Sequence, residues 1–431
     1  VDPNIIALIG LVVMLLLMFL KMPISFTMFV VGFAGVFLMA SPGAAFNLLQ
    51  AELWTQFSSY SLSIIPLYIL MGEIIFRSGI TEKLFVAAYK WVGHLKGGMA
   101  GTTVLASAGF AAICGSNSAT AATMSTIALP ELKKYKYNEA LSAGSVAAGG
   151  TLGVIIPPST VLIVIAIQTQ QSVRQLFAAT IIPGVLLTLL FFATISYLCM
   201  RNPELGPAGP KTPLKEKLLS LKGVIPVFLL FGFVVGGLFR GWFTPTESGA
   251  FGSFGAIILA LSMRKLTWES FRLSVASTLR SSAMVILLIV GAMVFGRFLT
   301  LTRLPFAVAD WVVQLAIPPS AVLIIILLIF VLGGSLMDAL GFLIIAIPIF
   351  YPTVMALGYD PVWFAIVLTI VTSMGAITPP VGVNVYIVQG LSGGGISMST
   401  AFRGAAYFLV PYVLIVALLL VFPQIVLSVV K

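Results

Sequence analysis

Charge is what this chain most lacks. Only 8% of its 431 residues are Asp, Glu, Lys or Arg, while 60% are hydrophobic and the mean hydropathy is +1.13. Soluble domains run near 25% charged, so a soluble globular fold is excluded. Segments near the ~20 residues that cross a bilayer recur, for example 5–20, 224–239 and 406–421. The ten-residue alternation of a transmembrane β-barrel is absent. The chain therefore reads as an all-α polytopic membrane protein.

Histidine and cysteine are almost as scarce. His94 stands alone, and Cys114 and Cys199 are too few and too apolar in setting for a disulfide framework. One His and two distant cysteines assemble no zinc-type site. His94 lies in the basic stretch "KWVGHLKGG", residues 90–98, where an interfacial place suits it better than a ligand role. An intramembrane aspartyl protease needs two carboxylates sharing a proton, and only Asp338 is well placed. A Ser–His hydrolase would need His94 deep in the membrane. Enzyme chemistry is disfavoured.

The few charges are informative by position. The 23 basic residues behind the net +10 divide into eighteen on one side of the spans, from Lys21 to Arg403, and five on the other, Arg174, Arg240, Arg297, Arg303 and Lys431. By the positive-inside rule the first side is cytoplasmic, so both termini are expected outside and a nucleic-acid partner is not expected. Residues 1–4 lack a basic n-region and 5–20 continue as a full span, so no cleavable signal peptide is expected. Glu73 can pair with Arg77 at i+4, and Glu247 can cap the helix after it. Amphipathic stretches at 81–94 and 267–279 suit helices lying along the cytoplasmic interface. The proline-rich "RNPELGPAGPKTPLKEKLLSLKG", residues 201–223, reads as a linker.

Two apolar segments are broken in the same way, by "GVIIPPSTVL" at 153–162 and "GAITPPVGVN" at 375–384. Each proline removes a backbone donor, and in lipid an unpaired backbone group costs several kcal/mol, so such a break survives only against protein or water. The two breaks are 222 residues apart, Pro157 and Pro158 matching Pro379 and Pro380, and Pro23 matches Pro245 at the same offset. Between them "CGSNSATAA" at 114–122 falls opposite "GGSLMDALG" at 333–341, with an offset a few residues smaller. Features in one order at near-constant spacing indicate two structural repeats, and span counting gives them opposite orientations. Each repeat also holds two apolar arms, 99–113 with 119–129 and 321–332 with 339–349, joined by a small polar tip. Neither arm is comfortably long enough to span alone, so both pairs are expected to be re-entrant hairpins.

Tips and breaks would converge at the midplane. The first repeat contributes Ser116, Asn117, Ser118, Gly149, Gly150 and Thr151. The second contributes Gly333, Gly334, Ser335, Asp338, Thr372, Ser373, Thr378 and Asn384. Glycines would let unwound backbone turn its carbonyls inward, and hydroxyls and amides add neutral oxygens, a cage suited to Na⁺. Half-helix N-termini after Ser118, Pro158, Asp338 and Pro380 favour an anion, so Ser116, Asn117, Ser118, Pro158, Ser159, Asp338, Pro380 and Asn384 are the candidate solute-binding residues. Asp338 could equally serve as a helix cap. Small residues at helix crossings can also be plain packing contacts. Proton coupling and an anion channel remain as alternatives.

The stretches "FTPTESGAFGSFGA", "GGSLMDALGFLIIAIPIFYPTVMALGYDPVWFAIV", "GAITPPVGVNVYIV", "GSNSATAATMSTIALPEL" and "GGTLGVIIPPSTVLIV" resemble the large membrane subunit of tripartite ATP-independent periplasmic (TRAP) transporters. The resemblance covers essentially the whole chain. It implies a bacterial inner-membrane, Na⁺-driven importer of organic anions (C4-dicarboxylates, sialic or other sugar acids, or sulfonates) with an elevator fold. It also implies two partners, a smaller four-span membrane subunit and a soluble periplasmic substrate-binding protein. Carried over, the sodium ligands fall on Ser116, Asn117, Ser118, Gly150 and Thr151, and on Gly333, Ser335, Asp338, Thr372, Ser373, Thr378 and Pro379. "VTSMGAITPP" departs from the family pattern, which often has Asn and Gly near Thr372 and Ser373. The expected division is 1–95 scaffold and first arm, 96–200 first transport part, 201–222 linker, 223–317 second scaffold and arm, 318–400 second transport part, and 401–431 a C-terminal span.

Overall fold

A computed structural model describes residues 3–314 and 317–429, without the side chains of 312 and 313. Val1, and Lys431 of the charge reading, lie outside the described residues. Helices account for the regular structure, and no strand occurs among the described residues. Six helices are long and apolar enough to cross a bilayer, or seven if one bent pair counts as a span. Polar caps start many of the helices: Ser41, Asn138, Ser172, Thr267, Asp360 and Ser397 each accept a backbone N–H from the first turn that follows.

The first half runs α1 (Pro3–Phe19), α2 (Ile24–Met39), α3 (Pro42–Phe57), α4 (Ile64–Arg77), α5 (Ile80–Val92), α6 (Gly98–Cys114), α7 (Asn117–Lys134), α8 (Glu139–Thr151), α9 (Thr160–Thr169) and α10 (Val173–Arg201). A linker ending in α11 (Leu214–Leu221) follows. The second half runs α12 (Ile225–Arg240), α13 (Pro245–Ser262), α14 (Trp268–Thr302), α15 (Leu304–Gln314), α16 (Pro319–Leu336), α17 (Ala339–Ala356), α18 (Pro361–Gly375), α19 (Val383–Leu391), α20 (Met398–Ala406), α21 (Leu409–Val421) and α22 (Gln424–Leu427). The 222-residue offset pairs them from end to end. It sets α1 against α12, α3 with α4 against α14, α5 against α15, and α10 against α20 with α21.

Two reciprocal contacts tie the halves together. α2 packs on α14 while α13 packs on α4, and α9 packs on α17 while α19 packs on α7. Each repeat thus reaches into the other at both its outer and its central helices.

The stretch 267–279, expected as an interfacial helix, is continuous with the rest of a 35-residue helix, α14. By the offset it matches α3, and the counterpart of α5 is α15. At 1.5 Å per residue α14 is about 52 Å long, well beyond a hydrocarbon core of ~30 Å. The hairpin arms are also longer than expected, 17 and 18 residues in the first and 18 in each arm of the second.

Glu73 does pair with Arg77, at 3.2 Å, and Arg77 also donates to Ser277 of α14. Glu247 closes a capping box with Thr244. A pair that sequence reading did not anticipate joins the buried Glu52 of α3 to the exposed Arg297 of α14 at 2.7 Å. Lys90 of α5 pairs with Glu216 of α11 at 3.5 Å. Both cysteines are free.

The linker is stapled down rather than loose. Gly97 N–H donates to Gly206 O, Asn138 N–H to Leu205 O and Gly209 N–H to Gly93 O. Tyr137, in the turn between α7 and α8, accepts from Met99 N–H at 3.0 Å and donates to Pro207 O at 2.8 Å. Burial pushes its phenol up to about 12, so it remains a donor at every physiological pH. Tyr137→Phe removes both bonds, and the expected cost is about 1–3 kcal/mol. Limited proteolysis in detergent should then cut within 202–213 faster than in the parent protein; unchanged protection would show that other contacts hold the strap.

Candidate functional site

Each hairpin tip is seated in the break of its own repeat. In the first, α8 continues through Thr151, a 3₁₀ turn covers Leu152–Val154, and the cis Pro157–Pro158 bond precedes α9. The carbonyl of Gly115, at the hairpin tip, accepts from Thr160 Oγ1 at 2.9 Å and from Thr160 N–H at 3.4 Å. In the second, the cis Pro379–Pro380 bond lies between α18 and α19, and Gly382 N–H donates to Ser335 O at 2.8 Å. Orphan backbone groups at each break are thereby met by the tip rather than left to lipid.

The glycine that opens each broken motif permits this contact. A Cβ on Gly153 would collide with the Ser116 carbonyl, and one on Gly375 would lie 2.5 Å from Val331 O and 2.7 Å from Ser335 N. Both glycines obey the 222-residue offset, so comparison of the repeats carried the signal, yet neither was among the expected site residues.

Side chains then join the two repeats. Ser118 Oγ donates to Asp338 Oδ1 at 2.9 Å, bridging the tips. Asn117 Oδ1 accepts from Val154 N–H at 3.1 Å, and its Nδ2 donates to Ser373 Oγ at 3.4 Å, so one amide touches a tip, a break and the opposite repeat. Asn384 Nδ2 donates to Ala147 O at 3.2 Å and lies against Gly150. Asp338 also caps α17 by accepting from Leu340 N–H at 3.1 Å, the capping role expected of it.

Several local expectations need correction. Gly149, Gly150 and Thr151 remain α-helical, as do Gly333, Gly334, Ser335, Thr372 and Ser373. Their glycines serve close approach instead of unwinding: Gly149 meets Ser107, Gly150 meets Ala121, and Gly334 meets the Thr372 carbonyl. The half-helix starts also shift. α7 begins at Asn117 with Ser116 as its cap, α9 at Thr160 with Ser159 as its cap, and α19 at Val383 after the left-handed Gly382, φ +59°. Only the start after Asp338 falls where expected.

Burial divides the constellation. Asn117, Gly150, Thr151, Ser159, Ser335, Thr372, Ser373 and Asn384 are buried, as are Gly333 and Pro158. Ser116, Ser118 and Thr378 are half-buried, and Asp338, Pro379 and Pro380 are exposed. Thr372 Oγ1 and Asn384 Oδ1 are buried without a hydrogen-bond partner. An unmet buried polar atom costs about 1–3 kcal/mol, which makes these oxygens suited to a ligand. The arrangement offers neutral oxygens inside and a carboxylate at the accessible edge.

An all-helical, multi-span bundle whose two equivalent halves fold around one buried polar centre is the architecture of a membrane transporter. Residues 11–425 match the family described as "Tripartite ATP-independent periplasmic transporter, DctM component". The chain is 34% identical over 365 residues to the C4-dicarboxylate TRAP transporter large permease protein DctM of Pseudomonas aeruginosa, covering 83% of each. It is 30% identical to the sialic acid TRAP transporter large permease protein SiaM of Vibrio cholerae, over 95% of this chain and 94% of that one. It is 33% identical to the isethionate TRAP transporter permease protein DctMQ of Oleidesulfovibrio alaskensis, over 79% of this chain and 53% of that one. The fold is shared with the YdaH transporter of Alcanivorax borkumensis, with a TM-score of 0.64 at 14% identity over 89% of this chain and 90% of that one. The chain belongs to the TRAP transporter family as its large permease component, a transporter subunit and not an enzyme.

Gly153→Ala and Gly375→Ala should each displace a tip, at an overpacking cost of about 1–3 kcal/mol. Uptake should fall in both variants while each still reaches the membrane. Normal uptake in either would show that its tip is not seated as described.

Proposed function

We propose that this chain is the Na⁺-coupled carrier of a small organic anion, working by an elevator mechanism in the bacterial inner membrane with both termini outside. The supporting observation is the pair of contacts across the repeats, Ser118 to Asp338 and Asn117 to Ser373, which gather two tips and two breaks at one centre. Sodium would occupy the buried neutral oxygens, Thr151, Ser335, Thr372 and Ser373 among them, and so fix the tips. The anion would meet the accessible edge at Ser116, Ser118 and the start of α19, where helix N-termini favour negative charge, while the Asp338 carboxylate would lend its charge to the sodium site. Coupling follows if solute binds the sodium-loaded state better than the empty one.

Relatives named for C4-dicarboxylates, sialic acid and isethionate point to an organic anion as the class of solute. A soluble periplasmic protein would deliver it. A four-span small subunit would dock on the scaffold, and α6–α9 with α16–α19 would slide as the moving unit between arms α5 and α15. Re-entrant hairpins belong to the same reading, since tips that meet each other and seat in mid-segment breaks would end inside the bilayer.

Reconstituted vesicles holding all three components should accumulate solute only with an inward Na⁺ gradient. Asn caps a helix as well as Asp does, so Asp338→Asn spares the fold while removing the charge. The half-saturating sodium concentration should rise about tenfold, the equivalent of ~1.4 kcal/mol. Uptake indifferent to sodium and driven by a pH gradient would replace this reading with proton coupling, and non-saturating currents without the binding protein would replace it with a channel.

A further inference from the structure

Positions 151 and 373 are equivalent by the repeat offset, and each carries a hydroxyl in the last turn of its helix, Thr151 in α8 and Ser373 in α18. Both are fully buried. Both commit their proton to the backbone of their own helix, Thr151 Oγ1 to Ala148 O at 2.5 Å and Ser373 Oγ to Thr369 O at 2.7 Å. Each oxygen therefore turns only lone pairs toward its surroundings, and a hydroxyl has two.

In each case a side chain from another element occupies one of those lone pairs. For Ser373 it is Asn117 Nδ2, already part of the first tip. For Thr151 it is the phenol of Tyr412, which donates to Oγ1 at 2.6 Å. The direction of that bond is fixed, because the Thr151 proton is engaged at Ala148. Tyr412 belongs to neither hairpin nor break. It stands on α21, fully buried, with its ring edge-on to Phe191 of α10 at 5.5 Å between centroids.

We infer that Tyr412 is a positioning residue of the cation site, doing for the first repeat what Asn117 does for the second. This rests on the sodium-coupled reading given above. A helical threonine divides between two χ1 rotamers because its hydroxyl can bond a preceding carbonyl. The phenol selects one of them and leaves one Thr151 lone pair for the ion. Without that donor the hydroxyl gains a second rotamer, and the ion meets a ligand that must be ordered as it binds.

The test uses the full three-component assembly in vesicles, with uptake measured against sodium concentration. Tyr412→Phe keeps the ring and its packing and removes only the donor. Its half-saturating sodium concentration should rise about fivefold to tenfold, the scale of one hydrogen bond, with the maximal rate retained. Thr151→Ala should raise it at least as far, and the double variant should match Thr151→Ala alone. Sodium should also protect the purified parent assembly against thermal unfolding, and protect Tyr412→Phe less at equal concentration. An unchanged sodium dependence in Tyr412→Phe, a fall in maximal rate alone, or a shift that multiplies with that of Thr151→Ala would overturn the inference while leaving sodium coupling intact. Sodium-independent uptake by the parent assembly would remove both.

Discussion

Everything in this structure depends on how interrupted helices find partners for their backbone. A break in an apolar segment strips N–H and C=O groups of their helical partners where lipid cannot replace them. The protein supplies those partners from the hairpin tips. Thr160 is held by Gly115 O, Val154 N–H by the Asn117 side chain, and Gly382 N–H by Ser335 O. Once a tip is needed to satisfy a break, tip and break must move together, which makes them a natural mechanical unit. The oxygens that remain around the junction, Thr372 Oγ1 and Asn384 Oδ1 among them, are left buried without a hydrogen-bond partner by that same arrangement.

The two repeats solve the problem in related ways. Gly153 and Gly375 admit the tip backbone, and Thr151 and Ser373 point their protons at their own helices. The bracing donors differ, however: a tip amide in one half and a phenol from the C-terminal helices in the other. Exposure differs too, with Pro157 and Pro158 buried and Pro379 and Pro380 open. The centre is therefore pseudo-symmetric in backbone and asymmetric in side chains. The proposed cation and anion sites would draw on that asymmetry.

Much of this was legible in the sequence, and the reasons are specific. Paired prolines and a constant offset disclose repeats because backbone geometry, unlike side-chain chemistry, is repeated faithfully. Polar tips stand out against an apolar background. Helix starts were misplaced by one or two residues because capping at Ser116, Ser159 and Gly382 depends on backbone angles that composition does not report. The stretch 267–279 was read as a separate interfacial helix because an amphipathic pattern does not show where a helix ends, and here it runs on to Thr302. Glycines were read as unwinding when they serve close approach, since a glycine signals either. Tyr412 gave no sign at all, because its partner is 261 residues away and it has no counterpart in the other repeat.

The central claim is that the two tips meet at one place, and a cross-link tests it most directly. In a background with Cys114 and Cys199 replaced, Ser118→Cys and Asp338→Cys would be combined with a protease site between residues 202 and 213. Treatment of native membranes with oxidant or a short bifunctional thiol reagent, followed by cleavage, should leave the halves joined until reductant is added, since the side chains are within bridging reach. Halves that separate freely, with each cysteine reacting from an opposite aqueous face, would contradict the account.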